Sequence, residues 1–95
     1  SFAIFYTMPV QQLTDMMKNN VKVSYYESNF PGLDIYAKSG TAEVAGNEPH
    51  AWFSGFIKNE DNPYAFIICV ENGGSGSSVA APVANQVLQA IVNRE

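Results

Sequence analysis

Between Leu33 and Val70 the chain offers three extended stretches, Leu33 to Val44, His50 to Ile57 and Tyr64 to Val70, parted only by polar turns. The turns, Ala45-Gly46-Asn47-Glu48-Pro49 and Lys58 to Pro63, are too short for a parallel crossover, so neighbouring stretches must pair antiparallel. On the N-terminal side Val10, Leu13, Met16, Met17 and Val21 recur at helical spacing behind Pro9, with Asn19-Asn20 as a stop signal. This predicts a helix over about 9–20 with its Met and Leu stripe in the core. On the C-terminal side Ser77 or Ser78 can cap a helix to about Val92, with Pro82 in its first turn. Val83, Val87, Leu88 and Ile91 are its expected packing stripe, and Ala80, Ala81 and Ala84 keep its start slim. The fold class is α+β, a three-stranded antiparallel meander with flanking N- and C-terminal helices.

The connecting pieces carry weaker signals. Val21 to Gly32 reads as a loop anchored by Tyr25, Tyr26 and Phe30 and closed by Pro31-Gly32. Tyr64 to Val70 is apolar on both faces, which predicts a central or doubly covered strand with Cys69 as a buried packing residue. Glu71-Asn72-Gly73-Gly74-Ser75-Gly76 reads as a flexible joint. Ser1-Phe2-Ala3-Ile4-Phe5-Tyr6 is apolar and strand-like from the first residue, whereas domain termini are usually polar, so the chain has the look of a cut edge.

Composition removes several functions. With 95 residues there is room for one small domain or a piece of a larger one, and 46% hydrophobic content argues against disorder. A net charge of -4 with 5 unclustered Lys and Arg leaves no electrostatic footprint for nucleic acid or an anionic membrane. The longest apolar run, Ala65 to Val70, is far short of the roughly 20 residues of a membrane span, so any anchor or export signal has to lie elsewhere. No His, Cys, Asp or Glu grouping has metal-ligand spacing, and no cofactor is implied.

Strand alternation puts Ile35, Ala37, Ser39 and Thr41 on one face and Tyr36, Lys38, Gly40 and Ala42 on the other. Lys38-Ser39-Gly40-Thr41 thus gathers a cation, hydroxyls and a bare backbone position on one strand. Such a group can grip a carboxylate and offer an amide N–H to a developing oxyanion, which is acyl-transfer chemistry. His50, the single histidine, reads as the start of the Trp-Phe strand, not as a general base. Trp52 and Phe53 read as core or support, Glu43 has no second carboxylate to work with, and Glu60-Asp61 reads as a solvated turn.

The order Ala37-Lys38-Ser39-Gly40-Thr41-Ala42-Glu43, then His50-Ala51-Trp52-Phe53-x-Gly55-Phe56, then Val70-Glu71-Asn72-Gly73-Gly74-x-Gly76 and an Ala-Ala-Pro helix resembles the C-terminal part of penicillin-binding protein transpeptidase domains. The resemblance runs from about Thr7 to Ile91. That family builds its site from Ser-x-x-Lys, Ser-x-Asn and Lys-Thr/Ser-Gly, and only the third motif is present here. The resemblance therefore implies that residues 1–95 are a partial transpeptidase domain of the penicillin-binding protein and β-lactamase-like fold, without the segment that carries nucleophile and base. Lys38 is then the cation of the proton network and carboxylate site, Ser39 and Thr41 the hydroxyl pair that binds the carboxylate, and the Thr41 N–H one oxyanion donor. Gly40 is expected to let the nucleophile-bearing element approach. The implied partners are a peptidoglycan stem peptide or a β-lactam and the N-terminal remainder of the domain, at the extracytoplasmic face of a bacterial membrane. A β-lactam sensor or non-catalytic receptor is the alternative, and a free-standing module that adds a partner strand at a sheet edge is a third. An isolated partial domain is expected to be inactive, to expose apolar surface and to be able to dimerise.

Overall fold

The pairing that the short turns demand is present. In the computed structural model, which describes residues 10–94, strands β1 (Ile35–Ala42), β2 (His50–Ile57) and β3 (Ala65–Val70) form one antiparallel sheet in the order β1-β2-β3. The expectations for Ser1 to Tyr6 and for Pro9 lie outside the described residues. Gly40 stands opposite Trp52, Lys38 opposite Ser54, and Phe53 sits between Ser39 on one side and Ile68 on the other. Helix α1 (Val10–Asn20) precedes the sheet and helix α2 (Ala81–Val92) follows it.

The core lies on one side of the sheet. Ile35 and Ala37 of β1 and Ala51, Phe53 and Ile57 of β2 pack with Ala80, Ala81, Ala84 and Leu88, and with Val21, Tyr25 and Phe30 from the connection after α1. Phe53 is its hub, meeting Tyr25 edge-on at 5.1 Å and stacking on Phe30 and Phe66 at 5.9 Å each. Such aromatic pairs add to plain burial because ring edges are positive and faces negative.

Several expectations are corrected. The central strand is β2, and β3 is an outer strand whose Phe66, Ile68 and Val70 touch the core while Ile67 is 67% exposed. Cys69 is exposed on the same open side and is no core residue. An apolar second face says that something can cover it, not that the chain itself supplies the cover. Helix α1 buries none of its residues, and Leu13 and Met16 are about half exposed. The α-helix ends at Asn20, where Asn19-Asn20 predict its stop, and the chain continues into a π-helical turn, Val21–Tyr25, which puts Val21 and Tyr25 in the core.

The C-terminal helix also turns a different face inward. Its cap is Ser75, whose Oγ accepts the Ser78 N–H at 3.3 Å, and a π-helical turn, Gly76–Ala80, precedes α2. Ala81, Ala84 and Leu88 meet the sheet, whereas Val83 and Val87 point outward. The reason is proximity: Gly76 lies directly on the backbone of Gly40 and Trp52. A helix starting that close leaves room for alanine and not for valine. Nor is Glu71 to Gly76 a loose joint. Asn72 donates its N–H to His50 Nδ1 at 2.9 Å and its Nδ2 to Glu48 O at 2.7 Å, and Gly74 donates to Pro49 O at 2.9 Å.

Candidate functional site

The candidate residues lie along β1, at its outer edge. Lys58 donates its backbone N–H to Asp34 O at 3.0 Å, which fixes the phase of the ladder: even-numbered positions bond inward to β2. The backbone groups of Ile35, Ala37, Ser39 and Thr41 therefore face away from the sheet.

Side chains from the preceding segment meet most of this row. Lys18 donates to Ile35 O at 3.3 Å while pairing with Asp34 at 3.0 Å, and Asn20 Nδ2 donates to Ala37 O at 3.3 Å. At Ser39 the backbone N–H donates to the Tyr25 phenol oxygen at 2.8 Å, and the Lys38 ammonium turns back onto Ser39 O at 2.6 Å. Ser39 Oγ also lies 2.9 Å from the Tyr25 oxygen. Thr41 comes next along the row. Among the described residues neither its N–H nor its C=O has a partner.

Local backbone shape brings Tyr25 there. Directly after the π turn, Tyr26 takes φ 64 and ψ 118, a positive-φ conformation that bulky residues rarely adopt. It is held by Asn29, whose N–H bonds Tyr26 O at 3.0 Å and whose Nδ2 bonds Tyr25 O at 2.8 Å. Strain of this kind, of order 1–3 kcal/mol, persists only where surrounding contacts over-determine it.

The sequence-predicted residues are thus grouped, but unequally. Lys38 is exposed and, among the described residues, has no carboxylate partner, so its charge stands at the strand edge. Ser39 is half-buried against Tyr25, and Thr41 is exposed on the same face. At Gly40 a Cβ would point to the open face and meet only Trp52 Cβ, at 3.6 Å. Nothing among the described residues requires Gly40 to lack a side chain. The crowding at Gly40 comes from the other side, where Gly76 rests on its backbone.

His50 accepts a hydrogen bond at Nδ1, which leaves that nitrogen unprotonated and ties the ring to the Asn72 turn. Trp52 lies half-buried on the open face, unlike the fully buried Phe53, and Glu43 is exposed past the end of β1. Sequence reasoning missed Tyr25, Asn20 and Gly76. Tyr25 stood out only as one aromatic among several in a loop. A cleft of about 440 Å³ opens beside Tyr25, lined by Asn29, Ser77, Ser78, Asn85 and Gln86 among others. A larger hollow, about 570 Å³, lies at the far end of β1 near Lys18, Asp34, Lys58 and Glu60, away from these residues.

A cation, a pair of hydroxyls and an outward N–H at one strand edge can hold an anion and stabilise an oxyanion. Comparison with known proteins supplies the context. The family model of the penicillin-binding protein transpeptidase domain matches residues 7–89. The peptidoglycan D,D-transpeptidase PbpA of Mycobacterium tuberculosis is 32% identical over 93 residues, covering 88% of this chain and 19% of the relative. The peptidoglycan D,D-transpeptidase MrdA of Haemophilus influenzae is 32% identical over 75 residues, covering 63% of this chain and 12% of the relative. Among solved structures, the penicillin G acyl-enzyme complex of penicillin-binding protein A from M. tuberculosis superposes with a TM-score of 0.70 at 32% identity, over 87% of this chain and 20% of that one. Pseudomonas aeruginosa PBP2 in complex with WCK 5153 superposes with a TM-score of 0.56 at 37% identity, over 90% of this chain and 18% of that one. The chain spans about a fifth or less of the length of the curated relatives it matches.

Proposed function

The chain belongs to the penicillin-binding protein transpeptidase family, and from that premise we propose that it is the C-terminal segment of a peptidoglycan D,D-transpeptidase. It contributes the carboxylate-binding and oxyanion wall of a site that cross-links stem peptides and is acylated by β-lactams. Residues 1–95 are a partial transpeptidase domain in this reading. The serine nucleophile and its lysine base come from a Ser-x-x-Lys outside this sequence, which contains no such motif.

The observation that carries the proposal is the edge of β1 at Lys38 to Thr41. Among the described residues Lys38 holds a charge there without a carboxylate partner, and the outward-facing Thr41 N–H on the same strand has no acceptor. Lys38 attracts the terminal carboxylate of a D-Ala-D-Ala peptide, or the equivalent anion of a β-lactam. The Ser39 and Thr41 hydroxyls donate to it, as ionised acceptors draw strong, short bonds. The Thr41 N–H then meets the negative charge that grows on the attacked carbonyl oxygen. Losing such a donor typically lowers kcat by about 10²–10³-fold. The relatives' activity is peptidoglycan synthesis, so the place of action is the extracytoplasmic face of a bacterial membrane, with the anchor outside this chain. Among the described residues no helix is long and apolar enough to cross one.

A fluorescent penicillin tests this. The 95-residue chain alone should form no covalent adduct, whereas a full-length relative carrying these residues in place of its own should be labelled. Lys38→Ala in that hybrid should cut labelling by about 100-fold or more. A covalent band on the isolated chain that disappears when one of its own serines is replaced would show the nucleophile to be misplaced.

A further inference from the structure

Tyr25 takes no part in the readings above, yet its phenol is the group that engages Ser39 twice. It is 7% exposed, wedged edge-on against Phe53 at 5.1 Å, and its backbone is pinned by Asn29. The position of its oxygen is therefore set by packing. That oxygen accepts the outward N–H of Ser39 at 2.8 Å and lies 2.9 Å from Ser39 Oγ.

A phenol has one proton to give and lone pairs to accept with. Since the oxygen already accepts from Ser39 N–H, the open question is where its own proton goes. No other acceptor for it is present among the described residues, and a buried hydroxyl proton without a partner is costly. The proton is therefore best given to Ser39 Oγ. Ser39 then keeps its own hydroxyl proton uncommitted, and the only direction left for it is away from Tyr25, past the strand edge. Consecutive hydrogen bonds of this kind polarise one another, so a hydroxyl that accepts from Tyr25 is also a better donor.

We propose that Tyr25 is a positioning residue of the site: its phenol aims the Ser39 hydroxyl proton out of the β1 edge and closes that edge at Ser39 to any strand that would pair with it. The first half rests on the reading of β1 as an anion-binding edge, and the second does not. An added strand needs alternate outward positions of β1 as a ladder. At Ser39 the N–H is held by Tyr25 and the C=O by Lys38, and at Ala37 the C=O is held by Asn20. Among the described residues Thr41 is the one outward position of β1 with neither its N–H nor its C=O engaged. Such an edge suits a ligand that ends there, not one that runs alongside.

Amide exchange on the ¹⁵N-labelled 95-residue chain tests the closure without any ligand. Ser39 should exchange at least about tenfold more slowly than Thr41. Tyr25→Phe, which keeps the ring against Phe53, should abolish the difference and leave Thr41 unchanged. Ser39→Ala should retain it, because the N–H still reaches the phenol. Equal exchange of Ser39 and Thr41 in the unaltered chain overturns the closure, and so does protection of Ser39 that survives Tyr25→Phe. The unaltered chain decides this even if the variant fails to fold.

The aiming role is read from titration with N-acetyl-D-alanyl-D-alanine and with its C-terminal amide. Tyr25→Phe should weaken the carboxylate form about tenfold and leave the amide form unmoved. An equal loss for both forms, or none, overturns the aiming role. If the unaltered chain binds neither peptide, the anion-site reading falls and the aiming role with it, while the exchange result stands by itself.

Discussion

Replacing Gly76 by alanine should be among the most damaging single-methyl changes in this chain, and replacing Gly40, its contact partner, should be nearly silent. A methyl at Gly76 would press on the Trp52 carbonyl oxygen and stand 2.5 Å from Gly40 O and 2.9 Å from Gly40 N, where 3.4–4 Å is ordinary contact. All three atoms are backbone of a paired position in the sheet, so no side-chain rotation relieves them. The Gly76–Ala80 turn has to lift by roughly 1 Å, loosening Ala81, Ala84 and Leu88 against the sheet. Overpacking typically costs about 1–3 kcal/mol, and with rigid partners on both sides the upper value applies. At Gly40 the added methyl meets only Trp52 Cβ, at 3.6 Å, so the change should stay within about 0.5 kcal/mol.

Urea unfolding followed by the single tryptophan, Trp52, measures both. With a slope near 1.5 kcal/mol/M, about 3 kcal/mol lowers the midpoint by about 2 M for Gly76→Ala. The midpoint for Gly40→Ala should move by less than about 0.4 M. If Gly76→Ala unfolds within about 0.5 kcal/mol of the parent, or if the two variants lose equal stability, the backbone contact between the C-terminal turn and the motif strand is wrong.

Two further outcomes are expected. Phe53→Ala empties the aromatic hub between Tyr25, Phe30 and Phe66 and should cost about 3–5 kcal/mol, seen as loss of near-ultraviolet dichroism; a loss below about 1 kcal/mol would deny Phe53 that place. Cys69, exposed on β3, should react stoichiometrically with a thiol reagent in the absence of denaturant, and a reaction that waits for urea would put it back in the core.

The parts of the fold that were legible are those where local chemistry and tertiary fate coincide. Strand β2 begins and ends where its turns predicted, because Pro49 and Lys58 bracket a run of alternating character. The two faces of β1 follow from period-2 alternation, with Ile35 and Ala37 buried and Lys38 exposed. Misreadings arose where two surfaces compete for one apolar residue. Helix α2 has both a valine side and an alanine side, and the winner was set by Gly76 drawing the helix start onto the sheet, a contact between residues 36 positions apart in sequence for the Gly40 partner. The same limit hid β3: Ile67 and Ile68 look alike in sequence, and only the sheet order tells which one is covered. Lys38, Ser39, Gly40 and Thr41 were visible as a motif because ordered strings surround them. Tyr25 was not, since its role depends on the unusual turn at Tyr26 that no residue type announces.

The sheet has two unlike borders. Along β1, groups from Lys18, Asn20, Tyr25 and Lys38 already occupy the outward carbonyls of Ile35, Ala37 and Ser39 and the Ser39 amide. Along β3 no further strand is paired among the described residues. Copies that met border to border would have to join β3 to β3, and a union of like with like is satisfied at two members. Growth into a fibre needs β3 of one copy to seat on β1 of the next, and there the phenol of Tyr25 stands in the way.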